Sequence, residues 1–570
     1  MGSIAPSSEY VVADRYIGEA KPIKIIVIGA GISGIAFAYK IKALENVDFV
    51  IYEKNSDVGG TWLESRYPGC SCDIPAHSYS YPWVNNPNWS QVFSGHWSLG
   101  PLLLTVPNRY AGAEEIWDFY RGQAREYGVY ENAKFEHQVV GAKWRDDDGK
   151  WRVEVKNLKT GEVVVDSAEV LINCGGALNN WKWPDIPGLH SFGGKLVHTA
   201  RWPQDLDVTG KRVAVVGAGS SAIQVIPAIQ PLVKSLTSFI RSPTWIAPQF
   251  LGQLAKDGRG TKYTKEQQEE FRQNPDKLLQ YRREIDHALN SRFPNFYKHS
   301  EEQKMARKAV ESGMREKLAT MDPKLRESLI PDFDIGCRRV TPGEGYLEAL
   351  QADNVQVVRS PIQSINKDGF VTADGTTHSV DIIVAATGYD TTYVPPFPLI
   401  GRNGVNLQER WAKTGADAYF TCAVPDMPNY FMVVGPNSPI SNGSLMPAIE
   451  TQLDFSLSFA KKIQCQGIKS VVVSAKATAD FIEHKDAVMQ NLTFSGSCNS
   501  WYKGGTSDGK IIGVWPGSLN HFMECLKEPR LQDFEFTYHT PNRFAFVGKG
   551  LSLLEKQNSQ LGWYIRAKLA

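Results

Sequence analysis

Residues 24–34, which read KIIVIGAGISG, decide the fold of this chain. The apolar run predicts a buried strand, and the Ala/Ile/Phe-rich segment after the glycines predicts a helix. Gly29 permits a tight turn, Gly31 lets the backbone approach a pyrophosphate, and Gly34 lets the helix pack on the strand. The stretch therefore predicts a dinucleotide site with its phosphates at a helix N-terminus.

The next predicted strand ends in a carboxylate. Residues 48–53 read DFVIYE, so Glu53 follows Gly34 by 19 positions. A carboxylate at the end of this strand accepts hydrogen bonds from the ribose hydroxyls of an adenosine. Glu53 is therefore a candidate ribose ligand of the first unit.

The pattern returns at residues 212–222, which read RVAVVGAGSSA. Gly217 and Gly219 occupy the turn positions, and Ser220 and Ser221 begin the predicted helix. We expect these four residues to contact the phosphates of a second dinucleotide.

The strand of this second unit, residues 236–240, ends at Arg241 and Ser242 instead of an acid. A carboxylate there would repel the 2′-phosphate of NADP, whereas Arg241 offers charge-assisted hydrogen bonds and Ser242 a hydroxyl. The two dissimilar units predict FAD at the first turn and NADPH at the second.

Composition limits the classes of function. In 570 residues, 62 Lys and Arg stand against 61 Asp and Glu, which leaves a formal charge of +1. This balance does not favour nucleic acid as a partner, and no apolar run reaches the roughly 20 residues that span a bilayer. The eight cysteines lack metal-ligand spacing. We therefore expect reduced thiols, no metal site, small-molecule partners and a cytoplasmic location.

These features predict an α/β fold with two Rossmann-like dinucleotide-binding domains, for FAD and NADP, and a helical insertion. The insertion is rich in Glu, Lys, Gln and Arg, and is either a solvated helical addition or a lid over the substrate. The predicted division is an N-terminal arm at 1–22, an FAD-binding domain at 23–175 and 390–570, an NADP-binding domain at 176–250 and 335–389, and the insertion at 251–334.

Two further motifs resemble the fingerprints of type I Baeyer–Villiger monooxygenases. Residues 192–203, FGGKLVHTARWP, fit every fixed position of F-x-G-x-x-x-H-x-x-x-W-[P/D]. Residues 59–73, GGTWLESRYPGCSCD, complete [A/G]-G-x-W-x-x-x-x-[F/Y]-P-[G/M]-x-x-x-D. The resemblance spans nearly the whole chain. It implies an NADPH-dependent flavin monooxygenase that uses O2 to convert a ketone into an ester or lactone through a C4a-peroxyflavin.

The resemblance also implies a catalytic pair. In that family an Arg above the flavin stabilises negative charge and is held by a carboxylate, and one such preorganised contact is worth about 3 kcal/mol. Asp73 occupies the carboxylate position, and Arg339 ends the segment Gly336-Cys-Arg-Arg. Arg338 stands near the position expected to meet the 2′-phosphate. A one-residue ambiguity therefore remains between Arg338 and Arg339 as the catalytic Arg.

Other motif residues receive roles from the same resemblance. His198 is expected to form hydrogen bonds between domains, rather than to act as a base, and Trp501 either caps the nicotinamide or anchors its loop. The remaining candidate cofactor contacts in and after the second fingerprint are Gly60, Thr61, Trp62 and Tyr79.

Residues 96–112 interrupt the family pattern, and are either a lineage-specific loop or translated intron sequence. The alternative activities are oxygenation of nitrogen or sulfur by a related flavin monooxygenase, and disulfide reduction. The second lacks a suitable dithiol, because Cys70 and Cys72 have the wrong spacing. The aromatic-rich composition suggests a bulky, apolar ketone of secondary metabolism as the substrate.

Overall fold

The computed structural model describes residues 10–90, 111–247 and 262–565. The interrupting segment 96–112 lies outside the described residues, except for residues 111 and 112, which begin a helix. Within the described ranges, no helix is both long and apolar enough to cross a membrane.

The strands carry labels in chain order. They are β1 (Ile23–Ile28), β2 (Val47–Tyr52), β3 (Ala133–Lys134), β4 (His137–Arg145), β5 (Lys150–Asn157), β6 (Val163–Ala168), β7 (Val170–Asn173), β8 (Lys195–His198), β9 (Arg212–Val216), β10 (Ser235–Phe239), β11 (Ile246–Ala247), β12 (Thr341–Pro342), β13 (Val355–Val358), β14 (Ile362–Asn366), β15 (Gly369–Thr372), β16 (Thr377–Ser379), β17 (Ile382–Ala385), β18 (Leu399–Ile400), β19 (Tyr430–Met432), β20 (Ile468–Val473) and β21 (Phe534–Tyr538).

The helices follow the same convention. They are α1 (Ile32–Lys40), α2 (Thr61–Glu64), α3 (Ala111–Tyr127), α4 (Val129–Asn132), α5 (Ser220–Ile229), α6 (Lys265–Gln273), α7 (Pro275–Asn290), α8 (Glu301–Lys317), α9 (Pro323–Leu329), α10 (Tyr346–Ala349), α11 (Leu407–Thr414), α12 (Leu445–Gln466), α13 (Ala475–Met489), α14 (Leu519–Leu526) and α15 (Leu553–Lys556).

A parallel sheet of order β19-β7-β1-β2-β3 forms the first nucleotide-binding unit. Ile25, Ile26 and Val27 in β1 are fully buried. A strand covered on both faces needs such a continuous apolar run, which explains why β1 lacks alternation. The turn after β1 leads directly into α1.

A second parallel sheet has the order β13-β10-β9-β17-β8. Its central strand β9 leads through the second glycine turn into α5. The predicted α/β class, with two Rossmann-like units, is confirmed. Antiparallel strands β4, β5 and β6 and the pair β20 and β21 add to the first unit.

The sheets draw their strands from separate parts of the chain. The first takes β19 from beyond residue 390, and the second takes β13 and β17 from between 335 and 389. We therefore propose the discontinuous division predicted above. Helices α6, α7, α8 and α9 lie between the two parts of the second unit, as the polar composition of 251–334 predicts.

The insertion is anchored to the first unit by Arg282 of α7, which is buried. Its guanidinium donates hydrogen bonds to backbone oxygens in the segment 77–84 and to the Asn85 side chain. Nearby, His77 is buried among the rings of Tyr263, Phe271 and Tyr281. Burial, with a smaller contribution from Arg282, lowers the pKa of His77 to about 3, so its imidazole is neutral.

The expectation that all cysteines are reduced is wrong. Cys337 and Cys498 form a disulfide, although 161 residues separate them. The fold brings the segment before Arg339 against the loop after α13, a proximity that sequence spacing does not reveal. The other cysteines in the described ranges are free thiols.

Candidate active site

The first glycine turn has the geometry that a dinucleotide requires. Gly29 has φ +98°, and a Cβ there would lie 2.9 Å from the Cys174 carbonyl oxygen. A Cβ at Gly34 would lie 2.1 Å from the Gly29 oxygen, because α1 packs tightly on the turn. Gly31 caps α1, and a Cβ there would lie 3.6 Å from the Gly60 Cα, so two backbones without side chains border the cradle. The cradle fits a pyrophosphate at the N-terminus of α1.

Glu53 directly follows β2 beside this turn. Its carboxylate accepts hydrogen bonds of 2.8 Å from the amides of Ala30 and Asn55. Burial raises the pKa of Glu53, and the two amides oppose that effect. The structure therefore places the predicted ribose ligand next to the predicted phosphate cradle.

The second fingerprint borders the same cradle. Gly60, at φ +51°, precedes α2, whose first residues are Thr61 and Trp62. The Trp62 indole donates a 3.2 Å hydrogen bond to the Tyr79 hydroxyl, and Tyr120 donates to the Tyr79 carbonyl. These contacts fix the aromatic side chains beside the first unit.

A buried turn follows β19, which belongs to the same sheet as β1. Asn437 is fully buried at φ +63°, and its amide nitrogen donates to the carbonyls of Ile511 and Val514. Its side-chain oxygen is buried and has no protein partner in the described part of the chain. A buried acceptor that is left without a hydrogen bond costs about 1–3 kcal/mol, so such acceptors are normally paired. The free oxygen of Asn437 therefore fits a turn that meets a hydrogen-bonding ligand such as a flavin.

The second glycine turn is open where a phosphate would approach. Gly217 has φ +125°, and a Cβ there would lie 2.4 Å from the Ala386 oxygen. A Cβ at Gly219 would meet no atom within 4 Å, which leaves room beside the first turn of α5. Ser220 and Thr341 share a 2.9 Å hydroxyl hydrogen bond. Ser221 is the second residue of the same helix.

Arg241 and Arg338 lie close together after β10. Arg241 is exposed and Ser242 is half-buried. Arg338 donates a 3.0 Å hydrogen bond to the Pro243 carbonyl. Burial lowers the pKa of Arg338, and the positive charge of Arg241 adds to this effect. We propose that these two neighbouring guanidinium groups bind an anion such as a 2′-phosphate.

The Asp73 carboxylate and the Arg339 guanidinium form a bidentate pair. Nε and Nη2 of Arg339 each lie 2.7 Å from a carboxylate oxygen, and Nη1 donates to the Ile440 carbonyl at 2.7 Å. The side chains are 27% and 17% exposed for Arg339 and Asp73, respectively. Burial is the largest single effect and lowers the pKa of Arg339, but the charge and the hydrogen bonds of Asp73, with smaller contributions from Tyr502 and Cys72, together raise it overall. The Arg339 guanidinium therefore keeps its positive charge at a partly open position.

The contacts of Arg338 and Arg339 distinguish the two candidates for the catalytic Arg. Arg339 contacts Asp73, whereas Arg338 contacts Pro243 and lies near Arg241. We therefore assign Arg339, rather than Arg338, as the candidate catalytic Arg.

Contacts between the fingerprints were not predicted. Arg201 of the first fingerprint pairs with Glu64 of the second at 2.7 Å. Gln224 on α5 accepts a hydrogen bond from the Tyr67 hydroxyl at 2.6 Å and donates to Ser71. Arg201, Glu64 and Ser71 occupy variable positions of the motif patterns, and Gln224 lies outside both patterns. Of these side chains, the patterns specify only Tyr67.

His198 and Trp501 lie in different environments. The His198 ring stacks on Trp181 at 4.6 Å, and its Nε2 lies 3.2 Å from the Thr387 hydroxyl. Burial lowers the pKa of His198 to about 4.

Trp501 is half-buried in the loop after α13, where its carbonyl accepts a hydrogen bond from Thr391. Tyr502 is buried beside Arg339, a placement that the motif analysis missed.

Several known proteins are similar to this chain in sequence. A family model described as FMO-like, flavin-binding monooxygenase-like, matches residues 22–261. The chain is 39% identical to the FAD-binding monooxygenase tazF of Aspergillus terreus, over 96% of this chain and 95% of that protein. It is 31% identical to a Baeyer-Villiger monooxygenase of Streptomyces coelicolor, over 91% and 93%.

The fold is also similar to a solved structure. Cyclohexanone monooxygenase from Rhodococcus sp. Phi1, bound to NADP+, superposes with a TM-score of 0.76 at 25% identity. The match covers 91% of this chain and 100% of that one.

Proposed function

Because the chain belongs to the flavin-binding monooxygenase-like family, with Baeyer–Villiger monooxygenases among its relatives, we propose that it converts a ketone into an ester or lactone. The enzyme is a flavin monooxygenase, and its cofactors are FAD and NADPH. The observation that carries the narrower proposal is the bidentate pair of Arg339 with Asp73.

The two glycine turns and the residues after them would hold the cofactors. The first cradle, bordered by Gly29, Gly31 and Glu53, fits FAD, and the second, bordered by Gly219 and Arg241, fits NADPH. When bound, NADPH supplies a hydride and FAD supplies electron transfer and the activation of O2. The protein itself positions, charges and shields the reacting groups.

Arg339 acts as a fixed positive charge. Because Asp73 raises its pKa, the guanidinium keeps its proton and stabilises negative charge on an oxygen without acting as an acid. Three of its five N–H groups are used by Asp73 and Ile440, which leaves donors for Tyr502 and for an oxygen anion. Such preorganised donors are worth about 3 kcal/mol toward the transition state.

The apolar surroundings of Arg339 support a bulky ketone as the substrate. Phe296, Ile440 and Trp501 are half-buried and pack against a buried cluster that includes Phe494 and Tyr502. These side chains place hydrocarbon beside the partly exposed guanidinium, which favours a large apolar ligand. Arg241, Ser242 and Arg338 support NADPH over NADH, since they offer charge to the 2′-phosphate.

The experiment that tests the function replaces Arg339 in the FAD-loaded enzyme. We expect Arg339→Ala to oxidise NADPH but to lose at least about a hundredfold in ester formation from a responsive ketone. Asp73→Asn should lower ester formation less, because it leaves the guanidinium charge in place. NADPH oxidation and product formation are measured together.

The matched control is Arg145→Ala, which removes another bidentate Arg–Asp pair at an exposed position. Its ester formation should equal that of the unaltered enzyme. Undiminished ester formation by Arg339→Ala would contradict the proposal.

A further inference from the structure

A disulfide joins the two segments that meet at Arg339. Cys337 precedes Arg339 by two residues, and Cys498 precedes Tyr502 by four. The two sulfur-bearing side chains are 0% and 5% exposed, respectively. The disulfide is therefore buried, and it lies two residues along the chain from Arg339 of the ion pair that carries the proposed function.

The loop at the Cys498 end is internally folded. Ser500 accepts a hydrogen bond from the Tyr502 amide, and the Lys503 ammonium donates to the carbonyls of Gly496 and Ser507. We call residues 493–507 the clasp loop. Because these bonds lie within the clasp loop, they shape it but do not fasten it to the rest of the molecule.

Few contacts join the clasp loop to the segment that carries Arg339. A Cβ at Gly496 would lie 3.1 Å from the Cys337 sulfur, and a Cβ at Gly336 would lie 2.8 Å from the Thr493 hydroxyl. Burial raises the pKa of Tyr502 to about 12, and the neighbouring Arg339 guanidinium opposes that rise. Close backbone packing, this polar contact and the disulfide thus connect the two segments.

We propose that the Cys337–Cys498 disulfide is a positioning device that keeps Arg339 and the clasp loop in register for oxygen insertion. The inference rests on the proposed function. A bond two residues from Arg339 restricts where its backbone can lie. The other half of the bond adds a covalent hold near Tyr502, whose carbonyl also accepts hydrogen bonds from the amides of Ile512 and Gly513. When the bond is absent, Arg339 keeps Asp73 but loses the covalent link to the loop that covers it.

A chemical consequence follows from the bond itself. A dithiol reductant cleaves the S–S bond by supplying two electrons and two protons, which yields two cysteine thiols and the cyclic disulfide of the reductant. At saturating NADPH the enzyme should then oxidise NADPH at a similar rate, because saturation offsets any weaker hold on the 2′-phosphate that follows from displacement of Arg338, the neighbour of Cys337. Reduced O2 should leave as hydrogen peroxide instead of entering the ester.

The experiment begins with a thiol count on the FAD-loaded enzyme, unfolded in an alkylating reagent. Six of the eight cysteines should react before reduction and all eight after it. Peptide mapping should identify Cys337 and Cys498 as the pair. Eight reactive thiols before reduction would overturn the inference.

The variants are Cys337→Ser, Cys498→Ser and the double substitution. Each should lower the ester formed per NADPH about tenfold and raise peroxide release correspondingly, because small misplacements of a catalytic group have effects of this order or larger. The double variant should be no worse than either single one, since one bond is lost in all three. Multiplied effects would show two independent packing roles and overturn the inference.

Matched controls are Cys465→Ser and Cys525→Ser, which replace half-buried free thiols. Both should keep the ester yield per NADPH of the unaltered enzyme, and an equal loss in these variants would count against a specific disulfide role.

A second readout does not depend on ester formation. Amide hydrogen exchange of residues 493–507, measured in the FAD-loaded enzyme without NADPH, should accelerate in Cys498→Ser and not in Cys465→Ser. If no ketone yields an ester but exchange accelerates, the proposed function fails and the positioning role stands. Unchanged exchange in Cys498→Ser overturns the positioning role, whatever the product.

Discussion

At the scale of single residues, the pairing of Asp73 with Arg339 depends on the shape of the guanidinium. Two parallel hydrogen bonds of 2.7 Å use its planar fork, and a third bond reaches Ile440. A lysine ammonium has no such fork and loses its proton more readily when buried. The arrangement therefore fixes both the position and the charge state of one side chain.

Arg241 gives a prediction at the same scale. Arg241→Ala removes the exposed guanidinium after β10, so we expect the KM for NADPH to rise about 10- to 100-fold. The KM for NADH should change little, because NADH has no 2′-phosphate. Steady-state kinetics with both nucleotides test this, and equal changes in the two KM values would refute the phosphate role.

The site residues were predictable where a motif fixes them. The glycine turns and Glu53 follow from patterns in which each residue type has a physical reason, whereas Asp73 follows from the family resemblance, which left both Arg338 and Arg339 open as the catalytic Arg. Cys337 and Cys498 were mispredicted, because a bond across 161 residues depends on the folded path of the chain. Gln224 was missed for a similar reason, since its contact with Tyr67 exists only between folded units.

At the scale of elements, helix α7 is joined to the first unit by Arg282. Its guanidinium is buried against carbonyls of the segment 77–84, and burial lowers its pKa. Apolar side chains of the insertion, such as Leu278 and Ile285, are buried as well, and the directed hydrogen bonds of Arg282 add a specific anchor.

Arg282→Ala should therefore lower the free energy of unfolding by about 3 kcal/mol, because several buried carbonyls lose their donor. Arg283→Ala is the matched control, since Arg283 is the exposed neighbour on the same helix. Denaturant titration of the two FAD-loaded variants measures the difference. Equal stability in both would show that Arg282 does not anchor α7.

The elements themselves were largely predictable from hydrophobic pattern and turn chemistry. The strand expected at residues 48–53 is β2, Val47–Tyr52, and the strand expected at residues 236–240 is β10, Ser235–Phe239. The polar insertion is helical, as its composition predicts. Its attachment through Arg282 was not predictable, because a polar stretch does not reveal which of its charged residues is buried.

At the scale of the whole molecule, the second fingerprint forms the contact between the two nucleotide-binding units. A Cβ at Gly69 would lie 2.5 Å from the Gln224 backbone oxygen of α5. The loop of one unit therefore touches the helix backbone of the other, and their separation depends on a glycine at this position.

Gly69→Ala should disturb that separation. Gly161→Ala is a matched control, because both glycines have φ +79° but a Cβ at Gly161 would meet no atom within 4 Å. Each substitution carries a backbone strain of about 1 kcal/mol, and Gly69→Ala adds the clash. We expect Gly69→Ala to retain FAD but to slow flavin reduction by NADPH at least about tenfold. Stopped-flow absorbance checks this, and equal reduction rates in the two variants would refute it.

The reaction that we propose for this enzyme is the insertion of one atom of O2 beside a ketone carbonyl. The most direct test supplies NADPH, a panel of bulky apolar ketones and isotopically labelled 18O2 to the FAD-loaded enzyme, and determines the products by mass spectrometry. We expect an ester or lactone that carries one labelled oxygen atom. Unaltered ketones, together with labelled oxygen in the nitrogen or sulfur oxides of alternative substrates, would contradict it.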